Sequence, residues 1–370
     1  MSPPVRIPVL LPRLPAAEAI LPHLQAIDSD RRYSNFGPRV LEFEARLAQH
    51  FGTQPGTVLT VTNATVGLTL VLRTLDLPAG GLCLMPAWTF AATPSAALAG
   101  GLTPYFAYVS PKTWALEPAI ARRALDAAPG KVAAVMPVSP FGAPLDLAGW
   151  ELFQKATGVP VVIDAAAQFD GLQVGRIPSV VSLHATKTLG IGEGGLIAST
   201  DPVLIRRAKT LSNFGFYGSR SATGVGINAK LSEYGGAVGL AALEEWPAQR
   251  ARFARVTQDY VDAFTRHPAI QLSPGFGQGR VSATCSVLLP VSAARVEGGM
   301  ADAGIETRRW WGTAAHRMIA FHACPRTEVP VTEMMAERVL GLPYFSDLTT
   351  AQIQEVAHTL ARAVEAAPAI

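Results

Sequence analysis

A lysine between an apolar segment and a glycine-rich turn is the side chain best placed to do covalent chemistry. The sequence runs Ser182-Leu-His-Ala-Thr-Lys187 and continues as Gly190-Ile-Gly-Glu-Gly-Gly195. A lysine amine that is shielded from water can form a Schiff base with an aldehyde or ketone. The glycines would let the backbone approach a flat ligand or a partner chain. Taken alone, a surface lysine at the end of a strand would be the better interpretation.

A carboxylate closes a second apolar segment. Asp164 follows Val159-Pro-Val-Val-Ile163, and an acidic residue ending so apolar a run needs a partner. It could cap a helix that begins at Ala165. It could equally face a protonated pyridine nitrogen, whose ring would then withdraw electrons from a substrate carbanion. The segment alone leaves both interpretations open.

Two further segments lie at predicted strand ends. Thr62-Asn-Ala-Thr-Val-Gly-Leu68 joins a strand to a helix, and its backbone N–H groups with the Thr65 hydroxyl could bind a phosphate. The alternative is an ordinary helix start. In Pro86-Ala-Trp-Thr-Phe90, Trp88 could lie flat on a cofactor ring or could be a core tryptophan.

The elements that must position these residues alternate between apolar strands and helices. Such alternation predicts an α/β fold with a mainly parallel sheet covered on both faces, whose ligands lie beyond the carboxyl ends of the strands. We expect a helix at 231–245 that Pro247 ends or kinks, and a second helix at 255–266. The predicted strands are 58–62, 82–85, 104–109, 132–138, 159–163, 180–183, 195–199 and 281–289, and the other helices are 65–74, 92–99, 122–128, 147–156 and 350–365.

The pattern changes near residue 240, which we take as a domain boundary. Residues 1–240 would form the large domain and residues 241–370 a smaller α+β domain. The first 25 or so residues are proline-rich, and we expect them to pack on the smaller domain.

Composition narrows the function classes. The chain has 370 residues, 49% hydrophobic and 16% charged, with a formal net charge of +3 and no dense basic block, so we expect no nucleic-acid partner. Three cysteines without a C-x-x-C pair suggest a reducing, cytoplasmic setting. Residues 77–111 lack charge, but five prolines and four glycines divide them, so we expect neither a membrane span nor a signal peptide. No metal site is predicted.

Taken together, these segments resemble the DegT-type nucleotide-sugar aminotransferases, which are pyridoxal-phosphate (PLP) enzymes of fold-type I. The resemblance covers nearly the whole chain, and the serine-to-lysine segment with its glycines is its most specific part. The remaining motifs are Tyr33-Ser-Asn-Phe-Gly-Pro38 with Val40, Phe43 and Glu44, then Asn63-Ala-Thr65, Pro86-Ala-Trp-Thr-Phe90, Asp164-Ala-Ala, Asn213-Phe-Gly215, Gly226-Ile-Asn-Ala-Lys-Leu-Ser232, Gly304-Ile-Glu-Thr-Arg308 and Leu342-Pro-Tyr344.

The resemblance implies a role for each matching residue. Lys187 would carry PLP, Asp164 would pair with its ring nitrogen, and Trp88 would stack on the ring. The phosphate would be held by the Ala64 and Thr65 amides, by Ser182 and, across the interface of a homodimer with shared active sites, by the neighbouring subunit's Asn228.

The sequence departs from the family pattern at several positions. Ala167 occupies a position that is often His or Gln, so Gln168 becomes the candidate contact to the cofactor hydroxyl, and Ala64 replaces a frequent Gly. A tryptophan pair replaces a tyrosine-containing motif, and it could shape the substrate site or simply pack in the core. The candidate substrate residues are Phe36, His184, Arg220, Lys230, Arg308, Trp310 and Trp311.

The implied reaction is transamination from an amino acid, with glutamate as the expected donor, to a nucleotide-linked keto-sugar. The preferred acceptor is C-4 of a dTDP-4-keto-6-deoxyhexose, as in deoxysugar pathways that supply O-antigen or lipopolysaccharide. Amination at C-3 is the alternative. The sequence also leaves open an amino-acid-directed fold-type I enzyme and a non-catalytic regulatory relative. Lys187 argues against a regulator, and also against the sugar dehydratases of the family, which have His at that position.

Overall fold

The computed structural model describes residues 5–367, and its centre is a mainly parallel sheet. Two groups of strands, β3-β2-β4 and β5-β6-β7-β1, are joined by parallel bridges from Val135 to Val161 and from Val138 to Asp164. β7 is antiparallel to both of its neighbours, whereas the other pairs are parallel. The strands are β1 Val58–Val61, β2 Leu82–Pro86, β3 Thr103–Ala107, β4 Val132–Val135, β5 Ile163–Asp164, β6 Ser179–Ser182 and β7 Gly195–Ala198.

Helices cover this sheet, and the helices predicted at 65–74, 92–99 and 147–156 are present within one residue of those bounds. One helix starts earlier than the predicted 122–128, because Pro118 occupies its first turn, where a missing N–H costs nothing. The helices are α1 Ala17–Asp30, α2 Pro38–His50, α3 Ala64–Thr74, α4 Ala92–Ala99, α5 Pro118–Asp126, α6 Leu147–Thr157 and α7 Pro202–Leu211.

The expectation that Pro247 ends the helix at 231–245 and that a separate helix follows at 255–266 is wrong. A single helix, α8, runs for 32 residues from Glu233 to Phe264 and contains Pro247. Buried side chains on both sides of the proline, Trp246 and Phe253 among them, hold the helix against the core despite the lost backbone hydrogen bond. The expected domain boundary near residue 240 therefore lies within a continuous helix.

The C-terminal part forms a second, antiparallel sheet in the order β10-β9-β8. Its strands are β8 Gln271–Leu272, β9 Cys285–Leu288 and β10 Val339–Leu342, and its helices are α9 Ala294–Asp302, α10 Pro330–Arg338 and α11 Thr350–Ala366. The N-terminal segment lies on this part, since Ile7 forms a parallel bridge with Ile305 and the Val9 carbonyl accepts the Tyr344 N–H at 3.0 Å.

Residues 5–367 contain no helix of the length and apolar character that a membrane crossing requires. The same residues contain no cluster of side chains suited to a metal ion. The three cysteines are free thiols.

A fully buried glutamate links the start of α8 to the start of α2. Glu233, at the start of α8, accepts the backbone N–H groups of Arg39 at 2.7 Å and Val40 at 3.1 Å, which lie in the first turn of α2. The first-turn N–H groups of a helix have no acceptor within the helix, and a negative charge there is favourable. Gly37 leaves the space for this carboxylate, because a Cβ there would lie 2.6 Å from it.

We predict that Glu233→Ala lowers the free energy of unfolding by about 3 kcal/mol, since it leaves two buried N–H groups without an acceptor. Urea denaturation of the purified protein measures the change. Glu365→Ala, at an exposed position of α11, is the matched control. An equal loss in the two variants would contradict this account of Glu233.

Candidate active site

An amine and a carboxylate lie close to one another at the carboxyl edge of the sheet. Asp164 ends β5 and is 4% exposed, and Lys187 follows the adjacent strand β6. Burial raises the pKa of Asp164 and lowers the pKa of Lys187, and in both cases their mutual attraction opposes the shift. The Lys187 side chain is enclosed by protein atoms, although the residue as a whole keeps some solvent contact. Lys187 therefore has a larger neutral fraction than an ordinary lysine, as a nucleophilic amine requires.

Asp164 is fixed by hydrogen bonds to both of its carboxylate oxygens. The Thr93 hydroxyl donates to Oδ2 at 2.7 Å, and the Ala166 N–H donates to Oδ1 at 3.1 Å. No helix begins at Ala165, so the interpretation of Asp164 as a helix cap does not apply. Thr93 was not among the site residues predicted from the sequence. The feature that could have indicated it is a hydroxyl side chain about one helical turn after the Pro86–Phe90 segment.

Tight turns hold Lys187 in place. The Lys187 N–H bonds the His184 carbonyl at 2.9 Å, and the Ala185 N–H bonds the Gly192 carbonyl at 2.8 Å. A Cβ at Gly190 would lie 2.6 Å from the Ala185 carbonyl oxygen, so only glycine allows this return of the chain.

The predicted phosphate-binding residues meet at the start of α3. The Asn63 side chain accepts the Val66 N–H, while the Ala64 and Thr65 N–H groups have no acceptor within the helix. Gly195 pairs with Ser182 across the sheet, and a Cβ there would lie 2.7 Å from the Ala64 nitrogen. Ser182, at the end of β6, thus lies beside the helix start, and the arrangement suits an anion.

Trp88 does not have a free face for a cofactor ring. It is 1% exposed and packs edge-on against Phe141 and Trp311, with ring centroids 6.3 and 5.2 Å away. Its Nε1 has no acceptor among the described residues. The core interpretation of Trp88 therefore fits the structure and the stacking interpretation does not, because these rings occupy its surroundings.

A second aromatic residue in the same segment is open instead. Phe90 is 61% exposed, and its carbonyl accepts the Thr93 N–H at 3.2 Å, which places it one turn from the Asp164 hydrogen bond. The sequence has two aromatic residues, Trp88 and Phe90, directly after one buried strand. When one of two such residues packs in the core, the other can stay accessible, and this pattern could have indicated Phe90.

Gln168 is not grouped with Lys187. It is 6% exposed and lines a cavity of about 20 Å³ with Leu147, Ile163 and Leu172, among other residues that include neither Lys187 nor Asp164. The geometry gives no support to its predicted contact with the cofactor hydroxyl.

The tryptophan pair points in two directions. Trp311 stacks on Phe141 with centroids 4.3 Å apart, so it belongs to the aromatic cluster around Trp88. Trp310 packs against Gly341 of the small sheet, and the Arg308 guanidinium lies 5.0 Å from its ring. Arg308 also forms an ion pair with Glu306 at 3.0 Å. Core packing therefore accounts for most of the contacts of this pair.

The remaining substrate candidates are spread around the rim. Lys230 donates to the Asn213 side chain at 2.8 Å, and Asn228 pairs with Asn213 through the backbone and is exposed. Arg220 is exposed in the hairpin of residues 213–228, which follows α7. His184 contacts the Thr186 hydroxyl at 2.9 Å.

Phe36 lies against a neighbouring cation. The Lys209 ammonium is 4.5 Å from the centroid of its ring, and Phe36 itself is partly buried. Apart from the backbone hydrogen bond between Lys187 and His184, no hydrogen bond among the described residues joins these rim candidates to Lys187 or Asp164.

A larger cavity than the one beside Lys187 lies elsewhere on the molecule. It has a volume of about 580 Å³ and lies between α3, α7 and the hairpin, lined by Arg73, Arg206 and Arg207 among others. The cavity beside Lys187 is only about 20 Å³, and the N-terminal segment and Tyr344 narrow it. The reactive groups decide which location is the candidate active site, because the larger cavity lacks a buried nucleophile or base.

Two curated relatives are similar along most of their length. A UDP-N-acetyl-3-dehydro-alpha-D-glucosamine 3-aminotransferase of Acidithiobacillus ferrooxidans is 28% identical, covering 81% of this chain and 82% of the relative. A dTDP-4-amino-4,6-dideoxy-D-glucose transaminase of Escherichia coli is 25% identical, covering 92% and 94%.

Solved structures agree with the fold. A candidate PLP-dependent aminotransferase from Bacillus cereus superposes with a TM-score of 0.90 at 30% identity, covering 96% of this chain and 99% of that one. DesI, solved in the presence of its TDP-sugar product, gives a TM-score of 0.87 at 28% identity, covering 98% and 95%.

The model of the DegT/DnrJ/EryC1/StrS aminotransferase family matches residues 16–361. Together with the solved structures, this match confirms the expected fold-type I architecture and the expected class of PLP-dependent aminotransferases. The chain belongs to the DegT/DnrJ/EryC1/StrS aminotransferase family.

Proposed function

We propose that this aminotransferase moves the amino group of L-glutamate to C-4 of a dTDP-4-keto-6-deoxyhexose, with PLP held on Lys187. The observation that carries the proposal is the buried amine of Lys187 beside the buried carboxylate of Asp164 at the sheet edge. The family match supports the reaction class. Amination at C-3 is the alternative.

The residues present fit PLP at each end of the cofactor. Lys187 offers an amine for the aldehyde, Asp164 an anionic partner for a ring N–H, and the start of α3 with Ser182 offers donors for the phosphate. Phe90, rather than Trp88, offers an accessible aromatic face. Bound PLP would supply an electron sink for the amino-acid carbanion.

Each protein group then has a defined task. The Lys187 amine would serve as the base that takes the proton from the substrate α-carbon and as the acid that returns it. Asp164 would be the anionic partner that keeps a cofactor ring nitrogen protonated. The enclosure around Lys187 favours the neutral form of its amine whenever the lysine is released from the cofactor.

Relatives support a nucleotide-sugar acceptor without deciding the carbon. The E. coli relative is described as acting on a 4-amino sugar, whereas the A. ferrooxidans relative is described as a 3-aminotransferase. The structural relative DesI was solved with a TDP-sugar product. We favour C-4 on overall resemblance, and we place Lys230, Arg220 and Arg308 as partners for the nucleotide phosphates.

We also propose a homodimer in which the partner subunit's hairpin completes each site. The hairpin carries exposed aromatics, with Phe214 at 48% and Tyr217 at 57% exposure, and Asn228 lies at its base. Exposed apolar groups of this kind favour a protein contact. The cytoplasmic location stays a prediction.

The acceptor can be identified by a direct screen. Holoenzyme is incubated with L-glutamate and, in separate reactions, dTDP-4-keto-6-deoxyglucose, the 3-keto isomer, a UDP-linked keto-sugar and pyruvate as a simple keto acid. We expect 2-oxoglutarate in molar excess over the enzyme only with a nucleotide-linked keto-sugar, and fastest with the 4-keto isomer. Faster turnover of the 3-keto isomer would select the alternative, and turnover of a simple keto acid alone would select the amino-acid-directed enzyme.

We predict that Lys187→Ala abolishes amino transfer, because the variant lacks the group that carries the cofactor and moves the proton. Formation of 2-oxoglutarate by purified holoprotein measures the loss. Lys155→Ala, at an exposed position of α6, is the control and should retain full activity. Undiminished turnover by Lys187→Ala would contradict the assignment.

We predict that Phe90→Ala weakens PLP binding about tenfold, a loss of stacking worth about 1.4 kcal/mol, with little effect on the stability of the apoprotein. Trp88→Phe should instead lower the stability of the apoprotein with little effect on PLP affinity, because Trp88 fills core volume. PLP titration and urea denaturation of both variants measure the two effects. If only the Trp88 variant lost PLP affinity, Trp88 would be the stacking residue after all.

We predict that the rate at which apoprotein takes up PLP rises with pH and reaches its plateau below the ordinary lysine pKa of about 10.4. The sign follows from burial, which lowers the pKa of Lys187 and so makes the neutral amine available at lower pH. Stopped-flow absorbance across a pH series gives the apparent pKa. An apparent pKa equal to that of an exposed lysine would show that Lys187 is not the reacting amine.

A further inference from the structure

The hydrogen bond from Thr93 to Asp164 is one link of a longer buried chain. The Thr93 hydroxyl lies 2.6 Å from the Thr89 hydroxyl and 2.7 Å from Asp164 Oδ2. Both threonines are 0% exposed and Asp164 is 4% exposed, so water does not compete for these contacts. Three polar side chains are thus connected in sequence within the protein interior.

The protons in this chain can be arranged in only one way when Asp164 is ionised. An ionised carboxylate can only accept, so Thr93 must donate its single hydroxyl proton to Oδ2. Thr93 then has only acceptor sites left, so Thr89 must donate to Thr93. If Asp164 were protonated on Oδ2, it could donate to Thr93, and the direction of the bond between Thr93 and Thr89 would no longer be fixed. The ordered chain therefore responds to the charge on Asp164, and adjacent hydrogen bonds polarise one another in the same direction.

The hydrogen bonds from Thr93 and Ala166 leave acceptor sites free on the Asp164 carboxylate. Oδ1 accepts one N–H from Ala166 and Oδ2 accepts one hydroxyl from Thr93. Each carboxylate oxygen has two lone-pair sites, so each keeps one free. The side chain is fixed in orientation but still able to accept a ring N–H.

Opposing influences act on this carboxylate. Burial raises the pKa of Asp164 more than anything else does, and the Thr93 hydrogen bond is the first of the interactions that lower it. Thr93 lies in the first turn of α4, where the positive end of the helix dipole also favours an anion. An uncharged carboxyl could not hold a proton on a ring nitrogen. The function of Asp164 therefore requires that these hydrogen bonds offset the effect of burial and keep the carboxyl ionised.

We propose that Thr93, supported by Thr89, is a positioning residue that keeps Asp164 ionised and oriented toward the cofactor ring nitrogen. This inference rests on the proposed function, because it assigns the target of Asp164. It concerns two residues to which the sequence motifs gave no role.

The test compares Thr93→Val, Thr93→Ser and Thr89→Val with wild type. Valine keeps the shape of threonine and removes the hydroxyl, whereas serine keeps the hydroxyl. Thr74→Val is the matched control. Thr74 is also buried, its hydroxyl donates to the Val71 carbonyl, and it lies at the C-terminal end of α3, away from the predicted phosphate site at the start of that helix. PLP affinity, the pH dependence of the bound-cofactor absorbance, and kcat and KM are measured with holoprotein, and apoprotein stability is measured separately.

We expect Thr93→Val to weaken PLP binding about tenfold or more and to shift the pH transition of the cofactor spectrum. It should lower kcat more than it changes the KM of the keto-sugar. Thr93→Ser should restore the wild-type values, and Thr89→Val should change them in the same direction by less. Thr74→Val should change apoprotein stability without moving the spectrum.

Failure of the inference and failure of the proposed function give different results. If wild-type protein forms no PLP complex, both are overturned. If wild type binds PLP and Thr93→Val shows the same affinity and the same spectral transition, only the inference is overturned. A loss of affinity in Thr93→Ser equal to that in Thr93→Val would also overturn it, because the hydroxyl would then be irrelevant.

Discussion

The arrangement of the site depends on keeping an amine and a carboxylate together away from water. Desolvation disfavours the charged form of each group, which is why the pKa of Asp164 is raised and that of Lys187 lowered. A buried carboxylate without partners would take up a proton and lose its function. Thr93 and the Ala166 N–H supply the compensating hydrogen bonds. The neutral amine of Lys187 needs no such hydrogen bonds. The same desolvation that disfavours the ionised form of Asp164 therefore favours the nucleophilic, neutral form of Lys187.

Strand order explains why residues far apart in the chain meet here. β5 and β6 are adjacent and parallel, so Asp164 and the segment that leads to Lys187 leave the sheet at the same edge. β7 runs back beside β6 and brings Gly195 against the start of α3. Glycine is required at position 195 because a Cβ there would collide with the backbone of Asn63 and Ala64 at the start of α3. The phosphate-binding and amine-binding parts of the site are thus consequences of one sheet topology.

The sequence allowed the parts of the site that follow strand ends to be predicted. Asp164 closes an apolar run and Lys187 follows one, and in a parallel sheet such positions converge. Side-chain direction beyond a strand end could not be predicted in the same way. Whether Trp88 or Phe90 is buried depends on Phe141 and Trp311, which lie far along the chain. The continuity of α8 through Pro247 also depends on tertiary packing, which overrides a local signal for helix termination.

Packing of the aromatic cluster around Trp88 explains both why Trp88 is buried and why Phe90 is exposed. Trp311 comes from the C-terminal part and stacks on Phe141, whose own segment borders Asp164 through the Ser139 N–H bond to the Asp164 carbonyl at 2.9 Å. Phe141 and Ala314 both have left-handed φ values, 51° and 52°, which cost about 1 kcal/mol each for residues with a Cβ. Burial of four large rings in this cluster can offset that cost. Because Trp88 is needed to complete the cluster, it cannot also present a face to a ligand, and the next aromatic along the segment, Phe90, is left exposed.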